Sequence, residues 1–384
     1  MRILIVHSRY RSGPASGENQ VVSDEVRLLE EAGHDVAVLD PVPDDERGLR
    51  LLLAAKEVVW SSGSARDVRG LLAHHSPDVV HYHNVLTGLS PTVLRAARNE
   101  KVPAVMTLHN YRLMCLPGTF LRAGHPCELC SGRAPLPGVR FSCYRGSKGA
   151  SGALATSLIL HRRIGSFEAI DRYLAVSDFL RSKHIEGGVR PDRIEVKPNF
   201  SWRVPKTEEV GDYFLFLGRL APEKGVDTLM EAWRGLSETK LLVAGDGPSR
   251  VELRQKAPPS VEFLGTVRHE EVNSLLAGAR ALLVPSIWYE GAPRSILEAY
   301  SAGVPVMASR IGALPEVVDD HVSGLLVPPG DAGAWRNAIE AMSDSTLANR
   351  LGEGASSIYE RLYTPEEGLA RLERVYAEVI GERN

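Results

Sequence analysis

The sequence predicts an α/β fold built from two doubly wound parallel-sheet domains, and three observations predict it. Short apolar runs alternate with amphipathic helical stretches almost from end to end, as when strands are joined by crossover helices. At 384 residues the chain exceeds one typical core. A strand, a glycine-containing loop and a helix occur near the start, in "ILIVHSRYRSGPASGENQVV", and again past the midpoint, in "FLFLGRLAPEKGVDTLM".

In the first half, strands are expected at Ile3 to Val6, Val36 to Leu39, Val79 to His81, Ala104 to Leu108 and Tyr173 to Val176. Between the first two, Gln20 to Ala32 reads as a helix, with Val22, Val26, Leu29 and Ala32 returning at helical spacing. A second series follows in "DYFLFLGRL", "KLLVAGDGP", "VEFLGTV", "RALLVPS", "GVPVMAS" and "GLLVPPG", each a strand core ending in turn chemistry. "VKPNFSWRVPKTEEVGD", Val196 to Asp212, is polar and proline-rich without helical period, so the linker belongs there. The expected domains are residues 1–198 and 199–364, facing each other across a cleft, with a last helix over 365–384 that would pack back across their junction.

Composition excludes several classes. With 43% hydrophobic and 24% charged residues and a net charge of -3, the chain reads as an ordinary globular protein with no global attraction for nucleic acid. Ile3 to Val6 is too short for a signal-peptide core, and no run reaches the ~18 apolar residues of a membrane span. A cytoplasmic location is expected.

The chemistry concentrates after two strands of the second series. In "GRLAPEKGVD", Arg219 offers a bidentate fork and Lys224 a point charge, a pair suited to a diphosphate. In "WYEGAPRSILEAY", Gly291 and Ala292 precede a helix with Pro293 as its expected first residue. The amides of Arg294, Ser295 and Ile296 would then face an anion. Glu290 stands before that helix and Glu298 within it, roughly 8 to 12 Å apart by helix rise. Two carboxylates flanking a diphosphate accept from hydroxyls, a sugar on one side and a ribose on the other, which outlines a nucleotide sugar. The bland alternative is a solvated Glu290 and a helix-surface Glu298.

The Glu290 and Glu298 pair, "GRLAPEKG", "AGDGP", "EFLGTV" and "KPNF" together resemble retaining glycosyltransferases of family 4, with the GT-B architecture of two Rossmann-like domains. The resemblance covers essentially the whole chain. It implies that Glu290 contacts the donor sugar, that Glu298 contacts the ribose, and that Arg219 and Lys224 bind the diphosphate. Residues around Leu264 to Val267 would face the nucleobase, while Gly245 to Pro248 form a structural turn. In the first half it implies that Gly17 approaches the donor phosphate, although Ser16 stands where the family often has another glycine. His109, in "TLHNYR", matches the active-site histidine. The implied reaction is hexosyl transfer with retention from a nucleoside-diphosphate sugar, UDP- or GDP-linked, to a glycan, lipid-linked or small-molecule acceptor bound mainly to the first domain. Domain closure would exclude water. No Asp-x-Asp motif occurs, so a metal-independent donor site is expected.

Residues 112–149 form an insert carrying all four cysteines, Cys115-x11-Cys127-x2-Cys130-x12-Cys143. Four thiolates can close a structural zinc site, and a Gly- and Pro-rich insert has little core of its own. Redox-active or plain buried thiols are the alternatives. From Cys130 to Phe167 no residue is acidic, while Arg133, Arg140, Arg145, Lys148, Arg162 and Arg163 are basic. That stretch would attract an anionic acceptor or membrane surface, and "ASGALATSLILHRRI" adds an amphipathic helix. His81 and His83, two residues apart, are a weak metal signal without a third ligand.

Two other classes compete. A nicotinamide-dependent dehydrogenase needs G-x-G-x-x-G after its first strand, where "RSGPASGENQ" has G-x-x-x-G, and "GDGPSR" lacks the ending of a phosphate-cradling ATPase loop. A catalytically silent nucleotide-sugar binder or partner subunit would carry the same donor residues.

Overall fold

The computed structural model describes residues 1–9, 17–41, 55–86, 88–205 and 211–383. Ser16 lies outside them. The chain divides into two units: Met1–Phe120 with Glu128–Lys197 and Leu369–Asn384, and Leu121–Cys127 with Pro198–Gly368.

In the first unit, β1 (Arg2–Val6), β2 (Asp35–Leu39), β3 (Val79–Tyr82), β4 (Ala104–Leu108), β7 (Arg172–Ala175) and β8 (Ile194–Val196) form a sheet in the order β2-β1-β3-β4-β7-β8. Every neighbouring pair is parallel. The short hairpin β5 (Leu121–Arg122) and β6 (His125–Pro126) stands apart from it. The helices are α1 (Gly17–Glu31), α2 (Ser62–His75), α3 (Leu94–Asn99), α4 (Leu136–Arg140), α5 (Lys148–Arg163) and α6 (Asp178–Glu186), with α14 (Pro365–Gly381) joining from its Leu369 onward. Ile3, Ile5, Val79, Val105 and Leu174 bury one sheet face against Val22 and Leu29 of α1 and Leu372, Val375, Tyr376 and Val379 of α14. Strand β8 was not expected. Its three residues include the polar Glu195 and run into the proline-rich stretch read as linker, so neither length nor alternation marked it.

The second unit repeats the plan. Strands β9 (Tyr213–Leu217), β10 (Lys240–Ala244), β11 (Val261–Gly265), β12 (Ala279–Val284), β13 (Val306–Ser309) and β14 (Gly324–Val327) pair in parallel in the order β11-β10-β9-β12-β13-β14. Helices α7 (Val226–Ala232), α8 (Arg250–Lys256), α9 (His269–Ala277), α10 (Arg294–Ser301), α11 (Leu314–Val317), α12 (Ala332–Met342) and α13 (Ser345–Leu362) join them. Alternate residues of β9 go to opposite faces: Leu215 packs with Ile296 and Tyr300 of α10, while Phe214 and Phe216 pack with Leu229, Trp233 and Trp335. In both sheets the strand order reverses direction about one strand, β1 or β9. Doubly wound sheets bind ligands at the carboxyl ends of strands flanking such a switch. The segments after β1, β3, β9 and β12 are therefore the places to look.

Candidate functional site

In the second unit the switch lies between β9 and β12. The segment after β9 makes a single 3-10 turn, Pro222–Lys224, ended by Gly225 at φ 68°. A Cβ on Gly225 would lie 2.0 Å from the Pro285 carbonyl oxygen, so only glycine lets this loop lie against the one after β12. The Ile287 amide donates to the Glu223 carbonyl at 3.0 Å, which ties the two together.

That contact brings Lys224 to Glu290. Glu290 is only 5% exposed, and its Oε1 accepts from Lys224 Nζ at 2.7 Å, Ser286 Oγ at 2.6 Å and Trp288 Nε1 at 2.8 Å. Lys224 also stands over the Trp288 ring, 5.4 Å from its centroid. Among the described residues all these donors converge on Oε1, leaving Oε2 for a ligand. Glu298 is buried as well, with Arg294 Nε 2.8 Å from its Oε1. The solvated carboxylates of the bland alternative are overturned. Arg219 is exposed and paired with Glu223 of its own loop.

Helix α10 starts one residue later than expected. Pro293, at ψ 124°, is the cap residue, and its carbonyl accepts from the Ile296 amide at 3.1 Å. Ile296 is thus engaged, and Arg294 and Ser295 are the residues that precede the helix's own acceptors. Gly291 and Ala292 are half-buried in the loop before it. A Cβ on Gly245 would meet the Gly218 carbonyl oxygen at 1.9 Å, so "AGDGP" packs backbone to backbone against the β9 loop. Leu264 and Val267 are half-buried against the core beside α10.

In the first unit, His109 follows β4 and is half-buried. It lines a small cleft with Glu18, His83, Asn84, Asn110 and Arg112. Gly17, the first residue of α1, adjoins this cleft in sequence through Glu18, whose Oε2 accepts from Asn110 at 3.1 Å. Behind His109 lies a buried polar cluster. His109 Nε2 is 2.9 Å from His83 Nδ1; His83 Nε2 is 3.4 Å from Glu25 Oε2; and Lys197 bonds to Glu25 Oε1. His81 completes it, with Nδ1 2.7 Å from Tyr376 Oη and Nε2 2.7 Å from Thr107 Oγ1. Burial, with Lys197 and His7 nearby, lowers the His109 pKa to about 3. Burial likewise holds His81 and His83 well below the usual histidine range. All three imidazoles are neutral at physiological pH. One signal could have found Glu25: a carboxylate three residues after Val22 and four before Leu29 sits on the apolar stripe of α1.

Glu25, His81 and His83 are, among the described residues, the group of metal-type side chains whose ligand atoms lie within 4.8 Å of one another. Their donor set does not suit a metal. Both ring nitrogens of His81 are engaged and an ammonium already occupies Glu25.

The four cysteines do not form such a group, and none is in a disulfide. Within the first unit, the thiols of Cys115, Cys130 and Cys143 do not lie within 4.8 Å of one another as a group. Cys127 belongs to the second unit and the others to the first. Burial pushes the Cys115 thiol up to about 11, the opposite of a ready thiolate. Nor is the insert without a core: Leu116 and Phe120 are fully buried, and Leu116 packs with Leu154, Ala155 and Leu158 of α5. The expected amphipathic helix is present as α5, and its apolar face lies inside the unit. Arg162 is spent on the carbonyls of Leu113 and Arg133. The exposed part of the basic stretch is Arg133, Arg140, Arg145, Lys148 and Arg163, accompanied by exposed Leu129, Leu136 and Phe141.

Two doubly wound parallel-sheet units are the architecture of the GT-B fold, and one of them carries two buried carboxylates around a lysine and a helix start. The chain belongs to the glycosyltransferases that combine a Glycosyltransferase Family 4 domain, matched over residues 15–200, with a Glycosyl transferases group 1 domain, matched over residues 211–345. It is 31% identical over 232 residues to a phosphatidyl-myo-inositol mannosyltransferase of Mycobacterium leprae, covering 55% of this chain and 60% of that one. The chain spans about half the length of the first curated relatives it matches. Among solved structures, a sucrose-phosphate synthase from Thermosynechococcus elongatus shares the fold with TM-score 0.71 at 18% identity, over 99% of both chains. Anabaena HepE, solved with UDP-glucose, does so with TM-score 0.67 at 18% identity, over 98% of this chain and 100% of that one.

Proposed function

We propose that the protein transfers a sugar from a nucleoside-diphosphate sugar to an acceptor with retention of configuration and without a divalent metal at the donor site. The observation that carries this reading is Glu290, buried, with one oxygen fixed by Lys224, Ser286 and Trp288 and the other left for a ligand. A carboxylate held this way selects hydroxyl groups, as a sugar presents them. Lys224 and the start of α10 offset the charge that grows on the departing diphosphate, with Arg219 joining them by exchanging its contact to Glu223 for phosphate. Glu298, steadied by Arg294, accepts from the ribose, and His109 serves the reacting sugar. UDP or GDP is the carrier; a relative's complex with UDP-glucose supports the first of these. The acceptor is a glycan, a lipid-linked sugar or a small alcohol bound to the first unit. Its exposed arginines with Leu136 and Phe141 support contact with an anionic membrane surface.

Thermal unfolding with UDP-, GDP-, ADP- and dTDP-sugars tests the donor assignment: a site filled to 100 times its Kd adds about 2.7 kcal/mol of stability. Glu290→Ala is expected to abolish transfer while the nucleotide alone still binds. Transfer that survives this change would sink the assignment, and a native protein that binds donor without turnover would be the silent binder.

A further inference from the structure

The cluster behind His109 fixes which of its two nitrogens carries the hydrogen. Lys197 and Glu25 are buried together, 1% and 0% exposed, and the ammonium keeps Glu25 a carboxylate, which can only accept. Its Oε2 faces His83 Nε2 at 3.4 Å, and both atoms otherwise have no hydrogen-bond partner. A lone pair on that nitrogen would oppose the carboxylate, so Nε2 of His83 bears the hydrogen. His83 is neutral, so its Nδ1 is bare and must accept. The group it accepts from, at 2.9 Å, is Nε2 of His109. His81 does not compete, because its two nitrogens are taken by the hydroxyls of Tyr376 and Thr107 and its Nδ1 is 3.9 Å from Glu25. We infer that Glu25 and His83 are positioning residues that hold His109 as the tautomer with hydrogen on Nε2 and a lone pair on Nδ1, so that His109 receives a hydrogen bond from a substrate hydroxyl rather than giving one to a phosphate or carbonyl oxygen.

The inference rests on the reading of His109 as an active-site group, but its first test does not. In full-length protein labelled with 15N-histidine, two-bond 1H–15N correlations at neutral pH should show His109 protonated on Nε2 and bare on Nδ1. In His83→Leu the acceptor is gone and His109 should divide between tautomers. In His83→Gln the amide still donates to Glu25 while its oxygen accepts from His109, so the native pattern should return. The kinetics should follow: kcat down roughly 10²-fold in His83→Leu with the donor KM within about twofold, and largely restored in His83→Gln. A native His109 protonated on Nδ1, or a His109 tautomer indifferent to His83→Leu, overturns the inference whether or not the protein transfers sugar. If His83→Leu does not fold, the native and His83→Gln spectra decide alone. A confirmed tautomer with full activity in His109→Ala would instead overturn the active-site reading.

Discussion

A carboxylate meant to meet a neutral sugar has to be buried, charged and aimed before the ligand arrives, and each condition costs something that neighbouring residues must offset. Glu290 meets them with three donors on a single oxygen. Glu25 meets them with Lys197 on one oxygen and His83 Nε2 3.4 Å from the other, and the ion pair is the more exposed to mutation because both its groups are buried. Lys197→Met would strand a buried carboxylate, and losses of about 3–5 kcal/mol are usual for such a break. Removing both charges, Lys197→Met with Glu25→Met, should recover most of it. Urea unfolding of the two variants beside the native protein measures this. A single substitution costing under about 1 kcal/mol would mean that solvent reaches the pair.

Among the elements, the insert departs furthest from what its sequence suggests. Cysteine spacing pointed to zinc, yet Leu116 builds a core with α5, and the helix that looked fit for a membrane spends its apolar face there. What remains exposed is Leu136 and Phe141 at the two ends of α4, with Arg133, Arg140 and Arg145 nearby in sequence. Arg140→Glu with Phe141→Ser should therefore release the protein from vesicles containing phosphatidylserine, whereas Arg162→Glu should act on folding through Leu113 and Arg133 instead. Flotation with neutral and anionic vesicles separates the outcomes, and equal binding to both would end the membrane proposal. The elements that were legible share a cause. Strands such as β9 and helices such as α1 write their burial into every second or every third and fourth residue, and the loops near Lys224 and Glu290 carry glycine and proline where backbone must turn. Glu25, Lys197 and His83 were illegible as a group because their meeting depends on sheet order. Only when β1 lies beside β3 and β3 beside β4 do residues from α1, β3, β4 and the end of β8 share one pocket.

For the molecule as a whole, histidines buried in the neutral state give stability a definite sign against pH. The folded pKa of His109 is about 3 and that of His184 about 4, each lowered chiefly by burial, while the unfolded side chains titrate near 6.5. Between those values the unfolded chain binds protons that the folded chain refuses, so stability rises with pH. Each of the two is fully accommodated above pH 6.5 and costs about 1.4 kcal/mol for each pH unit below it, levelling off at the folded pKa. His81 and His83 are shifted in the same direction and steepen the loss. Asp320, whose pKa is lowered by the Leu326 amide and Arg310 acting against its burial, adds to the fall only at still lower pH. Denaturant melts at pH 7.5, 6.5 and 5.5 should show a loss of about 0.7 kcal/mol from His109 and His184 together across the first interval and about 2 kcal/mol across the second. His184→Phe, which replaces a ring stacked near Tyr111 with one that cannot titrate, should make that second drop shallower by about 1 kcal/mol. A stability that stays level from pH 7.5 to 5.5 would show that these imidazoles reach solvent, and with it would go the dry environment of His83 on which the tautomer of His109 depends.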